Sequence, residues 1–74
     1  YVPRSLWPKV QERLLADIAT LKMGDVRDFR NFMNAVIDER SFQRISGYLA
    51  EARGAKGVKV LAGGNARGET GWFI

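Results

Sequence analysis

The apolar positions of the first third of the chain repeat with helical spacing. From Leu6 to about Lys22 they follow one another at steps of three, four, four and three residues, the period of a single helical face. The members of this α1 stripe are Trp7, Val10, Leu14, Ile18 and Leu21. Ser5 is a predicted N-cap, Pro8 falls in the first turn, and Gly24 is predicted to end the helix. The pattern therefore predicts an amphipathic helix.

A second helical pattern begins after Asp38. Asp38 is a predicted N-cap, and Glu39 is favourably placed against the helix dipole. Steps of three, four and three residues again define one face. The members of this α2 stripe are Phe42, Ile45, Leu49 and Ala52. Gly54 is predicted to close the helix.

The remaining segments predict a loop and short strands. Asp25 to Ala35 is irregular but rich in aromatics, which indicates an ordered loop. Val58 to Leu61 is β-branched and predicts a strand, followed by a turn at Gly63-Gly64-Asn65 and a further strand at 72–74. The fold class predicted is α/β, two amphipathic helices with short flanking strands, within a single partial domain over residues 1–74.

Length and composition limit how such a piece could be stable. The chain has 74 residues and contains neither Cys nor His, so it offers no disulfide and no zinc site. A core of this size is marginal without such supports. Helix packing, oligomerisation or a larger protein must then stabilise it. No apolar run reaches the roughly 20 residues of a membrane span, and no signal-peptide pattern is present.

The net charge of +4 changes this picture little. A basic excess is compatible with nucleic-acid binding. Here the charges are dispersed, with acidic residues between the basic ones and a predicted Arg13–Asp17 pair on the first helix. A solvated surface is the favoured interpretation, and no nucleic-acid or membrane partner is expected.

Candidate catalytic groups are few. Without Cys or His, the nucleophiles left are three serines, to which we assign cap or surface roles: Ser5, Ser41 and Ser46. Two carboxylate pairs could exchange protons, but each suits a capping or loop role better: Asp25 with Asp28, and Asp38 with Glu39. The glycines at 63, 64 and 68 lack the spacing of a phosphate-binding loop. We therefore expect no catalytic residue and no metal ligand in this chain.

The two ends of the chain are apolar. It opens at Tyr1-Val2 and stops at Trp72-Phe73-Ile74, whereas natural termini tend to be polar and loosely held. We take this as an indication that the 74 residues belong to a longer protein.

Five blocks in order carry a family resemblance. They are Tyr1 to Pro8, Met23-Gly24-Asp25, Asn31 to Asp38, Leu61 to Gly64, and Gly71 to Ile74. Together they resemble the aldehyde dehydrogenase superfamily, and within it the delta-1-pyrroline-5-carboxylate dehydrogenase subfamily. The likeness spans essentially the whole chain. Asn34-Ala35 stands where many members have Gly-Pro, which points towards that subfamily.

The resemblance implies an enzyme of which this chain is an inactive part. The parent would oxidise glutamate semialdehyde to glutamate with NAD, in proline catabolism. Its nucleophilic Cys would precede residue 1 and its nicotinamide-ribose Glu would follow residue 74. The partner of the chain would be the remainder of that enzyme, itself a homo-oligomer. Its location would be intracellular, in the bacterial cytoplasm or the mitochondrial matrix.

The same resemblance implies a cofactor contact at Ser41 and Arg44. Related enzymes place residues at these two positions, on either side of Phe42 and Gln43, near the nicotinamide ribose. Other members often have Gln and Lys there. The alternative is that both residues lie on an exposed helix face.

Two further hypotheses from other classes stay open. One is a self-standing helical module that dimerises through its apolar stripes. The other is a small basic nucleic-acid binder, whose binding would have to survive salt near 200 mM, because weak nonspecific contacts fade steeply with salt.

Overall fold

The computed structural model describes all residues from 1 to 74 and contains two helices. The first, α1, spans Trp7–Thr20, and the second, α2, spans Glu39–Gly54. β-Pairing is limited to two isolated bridges, a parallel one between Met23 and Met33 and an antiparallel one between Arg67 and Phe73. The helical half of the predicted α/β class is confirmed, whereas a sheet is not formed.

Helix α1 forms where the sequence predicts it but begins and ends differently. Leu6, not Ser5, occupies the N-cap position, and no side chain caps the helix. The carbonyl of Pro3 instead accepts from the amides of Leu6 and Trp7, at 3.0 and 3.1 Å. Pro8 lies in the first turn as predicted, where its missing N–H leaves no bond unmade. The prediction of Ser5 as N-cap is therefore wrong.

Gly24 does not end α1. The helix stops at Thr20, and the amide of Leu21 donates to the carbonyl of Ile18 at 3.0 Å. Gly24 is not in the left-handed region that a glycine C-cap uses. Its amide donates to the carbonyl of Met33 at 3.2 Å, beside the Met23–Met33 bridge. This glycine therefore belongs to the loop that follows α1 and not to the end of the helix.

Helix α2 matches its prediction at both ends. The amide of Ser41 donates to Oδ1 of Asp38 at 2.7 Å, which satisfies one of the free amides of the first turn. Glu39 lies in the first turn and Arg53 in the last, so each charge interacts favourably with the helix dipole. Gly54 is the last helical residue.

The segment from Asp25 to Ala35 is an ordered loop, as predicted. Two Asp residues each accept from the backbone amide two positions later, Asp25 from Arg27 at 2.8 Å and Asp28 from Arg30 at 3.1 Å. These are local turns of the kind that short acidic side chains favour. The amides of Phe32 and Met33 then return to the carbonyl of Lys22, at 2.7 and 3.2 Å.

The strand predicted at 58–61 does not form, and the one at 72–74 is reduced to a single bridged residue. Residues 58–61 pair with no other segment, and all four are exposed. A β-branched sequence is not enough, because a strand needs a partner edge for its backbone groups. Phe73 alone pairs, exchanging hydrogen bonds with Arg67 at 2.9 and 3.0 Å. Gly63 and Gly64 adopt left-handed φ values of +67° and +75°, as a glycine bend requires.

The chain has no hydrophobic core. None of its 74 residues is buried, and the two helices do not contact one another. The radius of gyration is 14.7 Å, against about 11 Å for a compact domain of this length. The accessible surface is 6640 Å², whereas a folded monomer of this mass exposes about 4,600 Å². About 2,000 Å² of additional surface is therefore left uncovered.

Candidate functional site

The first two turns of α2 carry the two predicted site residues. Ser41 and Arg44 are three positions apart, and residues at this spacing are neighbours on a helix surface. Ser41 is half-buried and Arg44 is exposed. The structure thus brings the two side chains onto one patch at the N-terminal end of α2, and Arg44 makes no ion pair.

Asp38 defines the electrostatics of this patch. The hydrogen bond from the Ser41 amide, with a further contribution from the Ser41 hydroxyl, holds the pKa of Asp38 below its ordinary value of 3.8. The positive charge of Arg44 lowers the same pKa further. Because Asp38 is ionised at neutral pH and accepts a hydrogen bond from the Ser41 amide, it is committed to capping and is a poor proton carrier.

The other predicted carboxylate pair is also committed to structure. Side-chain hydrogen bonds from Arg27 hold the pKa of Asp25 well below its usual range, and those from Arg30 lower the pKa of Asp28. Both ion pairs are two-pronged, with nitrogen–oxygen distances between 2.6 and 3.0 Å. Neither carboxylate resembles a general base, which would need a pKa near the working pH.

An aromatic pair includes Phe42, the residue next to Ser41 in the sequence. The ring centroids of Phe42 and Trp72 are 5.2 Å apart with an interplanar angle of 45°, a tilted packing that aromatic side chains favour. The carbonyl of Trp72 accepts from the amide of Val36 at 2.8 Å, just before the α2 cap. Sequence reasoning placed Phe42 on an apolar stripe but gave no partner for it. Contacts between residues 30 positions apart leave no local signal.

The far end of α2 is held by Arg53. Its guanidinium donates to the carbonyl of Gly64, and an added Cβ at Gly64 would lie 3.5 Å from that guanidinium and 3.9 Å from Leu49. Sequence analysis missed this contact as well. A basic residue in the last turn of a helix is a weak signal, because it is also favoured there by the dipole.

One serine on α2 has an enclosed hydroxyl. Oγ of Ser46 is shielded from solvent and has no hydrogen-bond partner. The prediction that this serine has a surface role is therefore wrong, because its hydroxyl is shielded from solvent. A shielded polar atom without a hydrogen-bond partner is unfavourable.

A shallow apolar groove separates α1 from the glycine bend. Its volume is about 340 Å³, and Ile18, Leu21, Met23, Met33 and Ile74 form its apolar lining. The groove carries no titratable side chain, so it offers packing surface and no chemistry. No group of three or more metal-ligating side chains is found in the chain, and neither helix is long and apolar enough to cross a membrane.

Comparison with known proteins assigns the family. The model of the aldehyde dehydrogenase family matches residues 1–74, and the chain belongs to that family. Among curated proteins it is 47% identical over 75 residues to a protein of Danio rerio, 44% to one of Homo sapiens and 38% over 74 residues to one of Dictyostelium discoideum. Each of the three is named mitochondrial delta-1-pyrroline-5-carboxylate dehydrogenase.

These alignments cover very different shares of this chain and of each relative. They include 100% of this chain but only 13% to 14% of each relative. The chain therefore spans about one seventh of the length of the curated relatives that it matches. The resemblance noted from the five sequence blocks is confirmed at the level of both family and subfamily names.

Proposed function

We propose that the chain is a structural segment of an NAD-dependent dehydrogenase that oxidises glutamate semialdehyde, the open form of delta-1-pyrroline-5-carboxylate, to glutamate in proline catabolism. The observation that carries this proposal is the 38% to 47% identity, along the whole chain, to relatives bearing that name. Their printed names support a mitochondrial parent, for which we propose the matrix, and the bacterial cytoplasm is the other setting. The parent is a homo-oligomer in this proposal.

The segment contributes shape and one contact patch, and the reacting groups come from elsewhere in the parent. The chain contains no Cys, and its carboxylates at 25, 28 and 38 are held by turns and a cap. The isolated 74 residues, a partial catalytic domain, are therefore expected to be inactive and not to bind NAD on their own. The uncovered 2,000 Å² fits this role, since it exceeds what one partner contributes to a standard interface, about 800 Å².

Ser41 and Arg44 fit a ribose in chemistry. A hydroxyl can both donate to and accept from sugar hydroxyls, and a guanidinium supplies several donors. Arg44 is exposed and free of ion pairs, so its donors are available. NAD, when bound, accepts the hydride of the oxidation. The role proposed for Ser41 and Arg44 is to hold the nicotinamide ribose and so orient the ring beside the substrate.

The test uses the full-length parent protein with glutamate semialdehyde and NAD. Arg44→Ala should raise the KM for NAD by about tenfold with a smaller change in kcat, because a hydrogen bond to a charged group is lost. Arg40→Ala, a matched change one helical turn earlier, is the control and should leave KM unchanged. Absence of NADH formation by the unmodified parent would refute the proposed reaction. An unchanged KM in Arg44→Ala would refute the contact alone.

A second candidate is the self-standing module that dimerises through its apolar stripes. The observation in its favour is the α1 stripe, whose five side chains are all at least 37% exposed. A second copy could cover them. The oligomeric state of the isolated chain separates this candidate from the first.

A further inference from the structure

Residues 64–73, which we call the return segment, touch α2 near both of its ends. Gly64 accepts from Arg53 in the last turn, and Trp72 packs on Phe42 in the first turn. The eleven helical steps from Phe42 to Arg53 span about 16 Å, and the eight residue steps from Gly64 to Trp72 can reach about 26 Å when extended. The return segment is thus long enough to run back along the helix between these contacts.

The contacts concentrate at and just before the N-terminal end of α2, close in sequence to Ser41 and Arg44. Trp72 makes two of them, through its ring to Phe42 and through its carbonyl to the Val36 amide. Gly68 approaches the same ring pair so closely that an added Cβ would lie 3.2 Å from Trp72 and 3.6 Å from Phe42. The Arg67–Phe73 bridge closes the five residues between into a loop that holds Trp72 in place.

We propose that Trp72 is a positioning residue for the proposed cofactor contact, acting through Phe42 to fix the first turn of α2. Phe42 lies between Ser41 and Arg44 in sequence, so a shift or rotation of the helix at Phe42 moves both side chains. The inference rests on the proposed function of that pair. Two readouts are therefore needed, one for the helix and one for the cofactor.

The experiment uses the full-length parent with Trp72→Ala, Trp72→Phe and Gly68→Ala. Trp72→Ala should raise the KM for NAD by about two- to tenfold with kcat nearly unchanged, the range that loss of one aromatic pair corresponds to. Amide exchange at residues 41–46 should quicken in the same variant. Trp72→Phe should restore both, because it keeps a ring on Phe42. Gly68→Ala should raise the KM for NAD and quicken the amide exchange in the same direction but by less. If Trp72→Ala does not fold, Gly68→Ala takes its place in the test.

Trp7→Ala is the matched control. It removes the same side chain from α1, so it should lower the thermal stability of the parent without changing the KM for NAD. If Arg44→Ala raises KM and Trp72→Ala does not, the positioning inference is overturned and the proposed function stands. If Arg44→Ala has no effect on KM, the cofactor contact fails. In that case, exchange at 41–46 still decides whether Trp72 fixes the helix, and unchanged exchange overturns the inference.

Discussion

The two helices carry similar apolar stripes but differ in how far these stripes are exposed. All four residues of the α2 stripe are half-buried, whereas all five of the α1 stripe are exposed, by 37% to 48%. The difference lies in what the chain provides for each face. The return segment contacts α2 near both of its ends, whereas α2, the only other helix, does not contact α1.

The comparison shows that an amphipathic pattern specifies a helix and its inner face but not the partner of that face. For α2 the partner is 30 residues away in the same chain, at Trp72. For α1 the partner must come from outside these residues. In the proposed parent it is another part of the catalytic domain, and in the alternative it is a second copy.

The largest expected effect comes from placing a charge in the α1 stripe. In the full-length parent, Leu14→Asp should lower the free energy of unfolding by about 3 kcal/mol or more, because it removes buried apolar surface and buries a carboxylate. The same change in the isolated chain should cost far less, since Leu14 is already 48% exposed there. Thermal and urea unfolding of both forms measures the difference.

The control for this test is Glu12→Asp, which places the same residue on the polar side of α1. It should change the unfolding free energy of the parent by less than about 0.5 kcal/mol. If Leu14→Asp lowers the unfolding free energy of the parent no more than Glu12→Asp does, the α1 stripe is not covered in the parent. The proposed difference between the two helices would then be refuted.

A smaller effect should separate the two helix starts. In peptides spanning each helix with its flanking residues, Asp38→Ala should reduce the helicity of α2 measurably, because it removes the acceptor for the Ser41 amide. Ser5→Ala should leave the helicity of α1 unchanged, because no side chain caps that helix. Circular dichroism at 222 nm measures both, and equal losses would contradict the assigned caps.

The α2 cap also predicts a pH dependence. The pKa of Asp38 in the folded state lies below its ordinary value of 3.8, so the stabilisation is fully present above about pH 4 to 5. It should be lost as the pH falls through the lower, folded pKa. Asp38→Asn should abolish this transition in the α2 peptide while keeping part of the helicity, since an amide oxygen also caps.

The smallest effect concerns the Arg13–Asp17 pair, which the structure confirms at 3.2 Å. Both side chains are mostly exposed, at 83% and 63%, so solvent screens their attraction. Asp17→Asn should reduce the stability of α1 by no more than about 0.5 kcal/mol, and the difference should vanish near 1 M salt. Helicity of the α1 peptide at low and high salt checks this, and a salt-independent loss would point to a different cause.

Local features were predictable from the sequence, and distant contacts were not. Helical spacing gave both helices, and the Asp38 cap and Gly54 end followed from residue type. The predictions of Ser5 as the N-cap and of Gly24 as the end of α1 were wrong, because the Pro3 carbonyl and the Met33 bridge provide competing hydrogen bonds. The strand predicted at Val58 failed because pairing needs a partner edge that residue preferences do not report. The Phe42–Trp72 and Arg53–Gly64 contacts join residues 30 and 11 positions apart, beyond any local pattern.

The sequence resemblance selects two candidate site residues on α2 but gives no indication of the contacts around them. Resemblance singled out Ser41 and Arg44, and the structure puts them on one patch beside the Asp38 cap. Their contact with a cofactor stays a prediction. The return segment that contacts α2 has an ordinary loop sequence, in which only Gly68 and the aromatic residues indicate close packing.

The central claim is that these 74 residues lack the partner for α1 and fold fully only within a larger catalytic domain. Thermal unfolding of the isolated chain, followed by circular dichroism at several concentrations and paired with sedimentation, tests it most directly. The account predicts a monomer that loses helix gradually, with no cooperative transition. A sharp transition whose midpoint rises with concentration, in a chain that sediments as a dimer, would contradict it and establish the self-standing module.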